Sequence, residues 1–424
     1  MSDKLRPLQP DHDRRRWMLA VSSLGLAGLL PRYLLAAEPA AGAVPETYTH
    51  PFANGERMLV RYPQKRPLIE LTSSPPQLET PFAIFNEGLL TPNDAFFVRY
   101  HNAKIPLTIN PQKFRLVVQG HVSTPLSLSL QEIKALPQVE VVAVNQCSGN
   151  SRGFSNPRVQ GGQVGHGAMG NARWTGVRLA DVLNLAGVAP GAVQVVLNGM
   201  DVSAKPSYEL PPDFIKALEI EHAMGGEVIL AYAMNGERLP LLNGFPLRAV
   251  VPGYYGTYWM KHLHEITVVD KPFNGFYMQT AYRIPDTACA CVPPGTKPAG
   301  TLPIGRLNIR SFITSLSENA RLPLGKPVMV RGICFDGGSG IKSVAFSADG
   351  GTTWSDAQLG EDLGKYSFRE WRIAFTPAKA GDYALKARAT NNAGQTQPLE
   401  AVWNPPGYMR NVVETINVTA TKGG

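Results

Sequence analysis

The chain has 424 residues, 44% of them apolar and 17% charged, which is ample for a large core and points to two or three domains. Its formal charge of +8 includes no long Lys/Arg run, and RNP, helix-turn-helix and zinc-finger spacings are absent, so the balance favours small anions or an acidic partner over a nucleic acid. The 41 glycines and 36 prolines favour turns and β structure over long helices.

The first residues read as an export signal. Arg14, Arg15 and Arg16 precede the apolar run Trp17–Leu30, and Leu35, Ala36 and Ala37 offer a cleavage site before Glu38. Consecutive arginines suit the twin-arginine route, which exports folded proteins and therefore cofactor enzymes. The expectation is residues 1–37 as the signal and a periplasmic location, with an uncleaved membrane anchor as the alternative, for which the apolar run is short. Residues 38–80 are Pro-rich and weakly patterned, and are expected to lie as an extended arm over the body.

The main body is expected over 81–305. In Ala95–His101, Phe96, Phe97 and Val98 read as buried, while Arg99 and His101 emerge on one side of an extended segment. Phe114–Val118 alternates as a strand, and Ser129 with Glu132 three residues on can cap a short helix. Val141–Val144 then reads as a buried strand, ending on Asn145-Gln146-Cys147 and opening into a Gly-, Asn- and Ser-rich segment. A lone Cys at a strand mouth, with Arg152 five residues on and Arg158 and Arg173 beyond, suits a metal ligand or a nucleophile. The alternative is a buried structural thiol.

Leu179–Ala186 is predicted as an amphipathic helix, Val193–Leu197 as a strand, Pro211–Leu218 as a helix, and Val228–Met234 as a strand ending in an Asn235-Gly236 turn. A second dense stretch follows: Arg248, the turn Pro252-Gly-Tyr-Tyr-Gly256, and Lys261. Two cations flanking a turn rich in backbone amides can clamp a phosphate, without the spacing of a P-loop. Cys289-Ala-Cys291 reads equally as a disulfide or as two thiols. From about Ile309, strand-length apolar segments recur between turns with no helical period, which is most simply an immunoglobulin-like β-sandwich over 306–424. Trp354, Trp371 and Trp403 are expected to be packing residues there.

Taken together, these segments resemble the sulfite oxidase family of molybdenum enzymes. The resemblance runs through FFVRYH at Phe96–His101, NQCSGNSR at Asn145–Arg152, GNARWTGVRLADVL at Gly170–Leu183, GFPLRAVVPGYYG at Gly244–Gly256, WMK at Trp259–Lys261, Tyr282, and VWNPPGYMRN at Val402–Asn411. Within the family the chain is most similar to catalytic subunits of bacterial periplasmic sulfite dehydrogenases that pair with a small cytochrome c.

The resemblance implies an α+β fold, a mixed α/β sulfite-oxidase-type molybdopterin domain followed by the sandwich. It implies molybdenum and molybdopterin as cofactors, with Cys147 as the thiolate ligand of the metal. Arg99, Arg152 and Tyr282 match groups around the substrate. Phe97, His101, Asn171, Arg173, Arg248 and Lys261 match cofactor contacts, Ala172 belongs to the segment wrapping the cofactor, and Trp174 matches a pocket wall.

The implied reaction is oxidation of sulfite to sulfate, with electrons leaving to a small c-type cytochrome subunit or soluble cytochrome c, and with a homodimer through the C-terminal domain as the alternative assembly. Animal members have His where this chain has Asn243, and carry a haem domain of which this sequence shows no motif. A sulfane dehydrogenase of the same family is the alternative activity; a sulfoxide reductase and a secreted adhesin are weaker alternatives.

Overall fold

The computed structural model describes residues 46–203 and 213–422. The expected export signal, the first residues of the expected arm, and Pro211 and Pro212 lie outside the described residues. Among the described residues no helix is long and apolar enough to cross a membrane.

Residues 47–79 do more than lie over the body. They form four strands, Thr47–Thr49, Glu56–Val60, Leu68–Ser73 and Pro76–Glu79, that end by pairing with Val98–Arg99. The pairing Gln77↔Arg99 fixes the strand that carries Arg99. Leu68, Leu78, Val98 and Tyr100 make a small core of their own beneath it.

Two further five- and four-stranded sheets build the catalytic body. One runs Asp213–Glu219, Gln194–Val202, Leu263–Val269, Arg115–Gly120 and Leu126–Ser129, with Leu263–Val269 parallel to Arg115–Gly120. The other runs Glu237–Arg238, Ile229–Met234, Met169–Arg178 and Gln138–Gln146, with Arg248–Val250 also paired to Ile229–Met234. The short helix Leu130–Lys134 begins on a complete capping box between Ser129 and Glu132. Leu179–Ala186 packs Leu179, Val182, Leu183 and Ala186 inward. The Asn235-Gly236 turn has φ of 53° and 78°, the left-handed pair a tight hairpin requires.

The predicted helix over 211–218 is instead the strand Asp213–Glu219. Its apolar residues fit either period. Pairing with Gln194–Val202 decided for the strand and buried Lys216 completely.

The C-terminal part is the predicted sandwich of two sheets. One holds Arg310–Ile313, Val328–Phe335, Arg369–Phe375 and Gln358–Leu359. The other holds Ala320–Pro323, Thr415–Thr421, Gly381–Asn391, Ile341–Ser347 and Ser355–Asp356. Val330, Val344, Trp371 and Leu385 are fully buried between them. The sandwich is stitched to the body through backbone: Val144 N–H donates to Tyr366 O at 2.9 Å, and Leu307 N–H to Gly253 O at 2.8 Å. A buried ion cluster adds to the seam. Arg310 contacts Glu414 at 3.1 Å and donates to Ser151 Oγ at 3.0 Å, while Arg410 grips the same carboxylate.

Candidate active site

The strand Gln138–Gln146 delivers its C-terminal end, and with it Cys147, to the floor of a cleft. Cys147 is a free thiol, half-buried, with its N–H held by Ala168 O at 2.9 Å. Two cavities meet there. One is walled by Phe97, His101, Asp201, Arg248, Trp259 and Lys261. The other is walled by Gln77, Arg152, Gly161 and Tyr408. Both share Arg99, Cys147, Ser148 and Tyr282.

The first cavity is cationic. Arg248 is 2% exposed; it donates to Asn243 O at 2.8 Å and lies 4.8 Å over the Trp174 ring. Burial draws its pKa down to about 9. Lys261 donates to Arg99 O at 2.7 Å and lies 4.2 Å over Tyr100. Burial draws it down to about 8, against the raising effect of Asp201. Among the described residues neither cation has a carboxylate within ion-pair distance. Asn145 Oδ1, Ser148 Oγ, Thr257 Oγ1 and Arg248 Nε belong to residues lining this cavity and are buried without a hydrogen-bond partner among the described residues. Buried polar atoms of this kind are costly to leave alone. Two unneutralised cations, one carboxylate and four free polar atoms over an apolar floor fit an anionic, hydrogen-bonding heterocycle. A phosphate would meet Arg248 and Lys261, and amino N–H groups would meet Asp201.

Arg99 and Arg152 line the second cavity together with Cys147. The Arg99 guanidinium donates to Tyr100 O and reaches His101 Nε2 at 3.4 Å. Arginine can only donate, so Nε2 is the acceptor, and the Tyr282 hydroxyl donates to the same atom. Burial, then the charges of Arg99, Lys261 and Lys216, push the His101 pKa well below its usual value, so the ring is neutral. It stacks on Phe214, 4.2 Å away and within 4° of parallel. Burial raises the Tyr282 pKa, which keeps the phenol protonated.

The structure thus brings together Phe97, Arg99, His101, Cys147, Arg152, Arg248, Lys261 and Tyr282. It does not bring Asn171, Ala172 or Arg173 to the cleft. The strand Met169–Arg178 alternates, and Arg173 falls on its outer face, where it meets Glu140 at 3.5 Å with 44% of its side chain exposed. Asn171 shares that face but is covered by the sandwich; its amide donates to Ser367 Oγ at 2.9 Å and Leu89 O at 2.8 Å. Ala172 is in the core. Trp174 backs the wall rather than forming it, donating from its indole to Ala143 O at 3.1 Å. Asn243 lines the cleft, but its amide is engaged by Phe97 O at 3.1 Å and Lys65 Nζ at 2.5 Å.

Sequence reasoning missed Asp201, Thr257, Phe214, Lys216 and Tyr408 as site residues. Tyr408 lies within the stretch Val402–Asn411 and Thr257 just after the turn Pro252–Gly256, but only the folding of distant strands groups them with Asp201, Phe214 and Lys216. Cys289 and Cys291 are disulfide-bonded on the surface. Among the described residues no three His, Cys, Asp or Glu side chains are grouped to hold a metal.

The fold and this site define a molybdopterin oxidoreductase. The family model "Oxidoreductase molybdopterin binding domain" matches residues 102–277, and "Mo-co oxidoreductase dimerisation domain" matches 302–421. The mitochondrial sulfite oxidase of Drosophila melanogaster is 33% identical over 377 residues, which are 84% of this chain and 64% of that protein. The sulfite oxidase of Arabidopsis thaliana is 30% identical over 373 residues, 82% of this chain and 93% of that protein. The crystal structure of the sulfane dehydrogenase SoxCD from Paracoccus pantotrophus superposes with a TM-score of 0.70 at 26% identity, covering 92% of this chain and 96% of that one. The chain belongs to the sulfite oxidase family and has the molybdenum–molybdopterin cofactor that this family implies.

Proposed function

We propose that this protein oxidises sulfite to sulfate in the periplasm and passes the electrons to a c-type cytochrome. The observation that carries the reading is the convergence of Arg99 and Arg152 on the cavity whose floor is Cys147. Two forked cations at a small polar cavity suit one compact oxyanion, and lysine would match that geometry poorly.

When bound, the molybdenum centre supplies oxygen-atom transfer and a two-electron sink. The protein's part is orientation and charge. Cys147 provides the anchoring thiolate. Arg248, Lys261 and Asp201 hold the cofactor's phosphate and amino edge. Arg99 and Arg152 neutralise sulfite and hold its lone pair toward the Cys147 side. Tyr282 points its hydroxyl at neutral His101, so one proton rests between phenol and imidazole beside the substrate. Overall, sulfite and water become sulfate, two protons and two electrons, and two molecules of oxidised cytochrome take one electron each.

The dimerisation-domain match supports a homodimer. A second reading, sulfane oxidation within a larger complex, is favoured by the near-complete superposition on the sulfane dehydrogenase. Steady-state assay of the purified, molybdenum-loaded protein with ferricytochrome c separates the two. Reduction driven by sulfite alone supports the proposal. Reduction only with a protein-bound sulfane donor replaces it with the second reading.

A further inference from the structure

We propose that Tyr408, carried in from the C-terminal sandwich domain, is a positioning residue of the substrate cavity that holds Arg152 and Tyr282 in place for a small oxyanion. The proposal rests on the sulfite reading for its substrate and on geometry for its residue.

The Arg152 guanidinium lies 4.9 Å over the Tyr408 ring, and Tyr408 lies parallel to Tyr282, 5.4 Å away and within 2°. One ring therefore touches two of the three side chains that face the substrate. Arg152 has little else to fix it. Its side-chain hydrogen bond to Gly162 O is long at 3.5 Å, its Nε is buried without a partner among the described residues, and no carboxylate of the described residues lies within ion-pair distance of it. An arginine at the substrate end of a site needs a free guanidinium for the anion. A π face steers the cation without occupying its donors.

The segment carrying Tyr408 is built to reach this place. Asn404 closes a turn on it, accepting from Tyr408 N–H and donating to Tyr408 O, both at 2.9 Å. Met409 N–H donates to Ser148 O at 3.0 Å, one residue from Cys147, and the Trp403 indole donates to Pro157 O at 2.9 Å. Gly407 has φ of 62°, and a Cβ there would stand 2.5 Å from Val159 and 3.0 Å from the Arg152 stem. Only glycine allows the tail to press this closely on Arg152. The cavity it closes, about 250 Å³, has room for one oxyanion and a few waters at roughly 30 Å³ each.

The test uses the molybdenum-loaded full chain with Tyr408→Leu and Tyr408→Phe. Sulfite turnover and, independently, sulfate binding by isothermal titration are measured. A cation–π contact in a partly desolvated site predicts about a tenfold rise in both the KM for sulfite and the Kd for sulfate in Tyr408→Leu. Molybdenum content and kcat stay close to the parent values, a split that general loss of structure would not give. Tyr408→Phe keeps both contacts and stays within about twofold of the parent. Should Tyr408→Leu fail to fold, Asn404→Ala, which unlatches the turn but keeps the ring, is expected to raise the sulfate Kd in the same direction. Unchanged sulfate affinity in a folded Tyr408→Leu, or a parent that binds neither anion, overturns the proposal. A parent that binds sulfate but does not turn over sulfite sinks the sulfite reading alone; the sulfate titration then still decides the role of Tyr408.

Discussion

The Lys261 ammonium donates a 2.7 Å hydrogen bond to the main-chain carbonyl of Arg99. This bond ties the cofactor side of the cleft to the substrate side. Lys261 comes from the stretch after the Pro252–Gly256 turn, and Arg99 from the strand paired to Pro76–Glu79. Lys261→Met removes one of two cations available to a buried phosphate. Charge-assisted hydrogen bonds are worth about 1.5–3 kcal/mol, so roughly a tenfold or greater loss of cofactor affinity is expected. Elemental analysis of purified variant and parent checks this; equal molybdenum content would remove Lys261 from the cofactor site.

Cys147→Ser is expected to fold and to show little sulfite oxidation. X-ray absorption at the molybdenum edge is expected to find one sulfur ligand fewer than in the parent. An unchanged sulfur count, or near-parental turnover, would end the ligand assignment.

Arg99→Met is expected to raise the KM for sulfite more than about tenfold, roughly 1.4 kcal/mol of lost binding if KM follows affinity. The bond from Lys261 goes to the Arg99 backbone and survives the change, so molybdenum content is expected to hold. An unchanged KM would take Arg99 out of the substrate site.

Glu414 neutralises two arginines at the domain seam. The Arg310 side chain is fully buried and that of Glu414 16% exposed. Glu414→Gln leaves Arg310 without its counter-charge, and breaking such a pair typically costs about 3–5 kcal/mol. Urea unfolding measures it. A loss below about 1 kcal/mol would mean that the seam is open to solvent in solution.

Lys216 gives a pH signature. Burial, then the charge of Arg283, draws its pKa down to about 7, while the unfolded chain keeps the ordinary lysine value near 10.5. Below pH 7 both states are protonated and the folded state bears the full cost of the buried charge. Between about 7 and 10.5 the unfolded state binds more protons, so stability rises with pH. The parent is expected to gain Tm relative to Lys216→Met as pH goes from 7 toward 10. A difference that does not change with pH would show that the ammonium stays charged in the fold.

Local signals in the sequence carried much of the fold. The Ser129/Glu132 capping box, the Asn235-Gly236 turn, the helix Leu179–Ala186 and the sandwich strands depend on neighbours along the chain, and each is present. Cys147, Arg99 and Arg152 were legible because unusual residue types cluster in short segments. Lys216 was not, because its strand pairing comes from tertiary contacts that override a pattern fitting two periods. Arg173 and Asn171 were assigned by their motif. The two-residue alternation of their strand turns both away from the cleft, one to solvent and one to the sandwich. Asp201 and Tyr408 lie far in sequence from the residues they accompany; the motif around Tyr408 was legible, but not that it reaches Arg152 and Tyr282.

The most direct measurement is a single-turnover stopped-flow experiment on the purified protein, with molybdenum quantified beforehand and no electron acceptor present. Mixing with sulfite is expected to change the metal-centre absorbance rapidly, with an amplitude that tracks molybdenum content. Near-stoichiometric molybdenum with no response to sulfite would contradict the account of the substrate and leave the sulfane reading in its place.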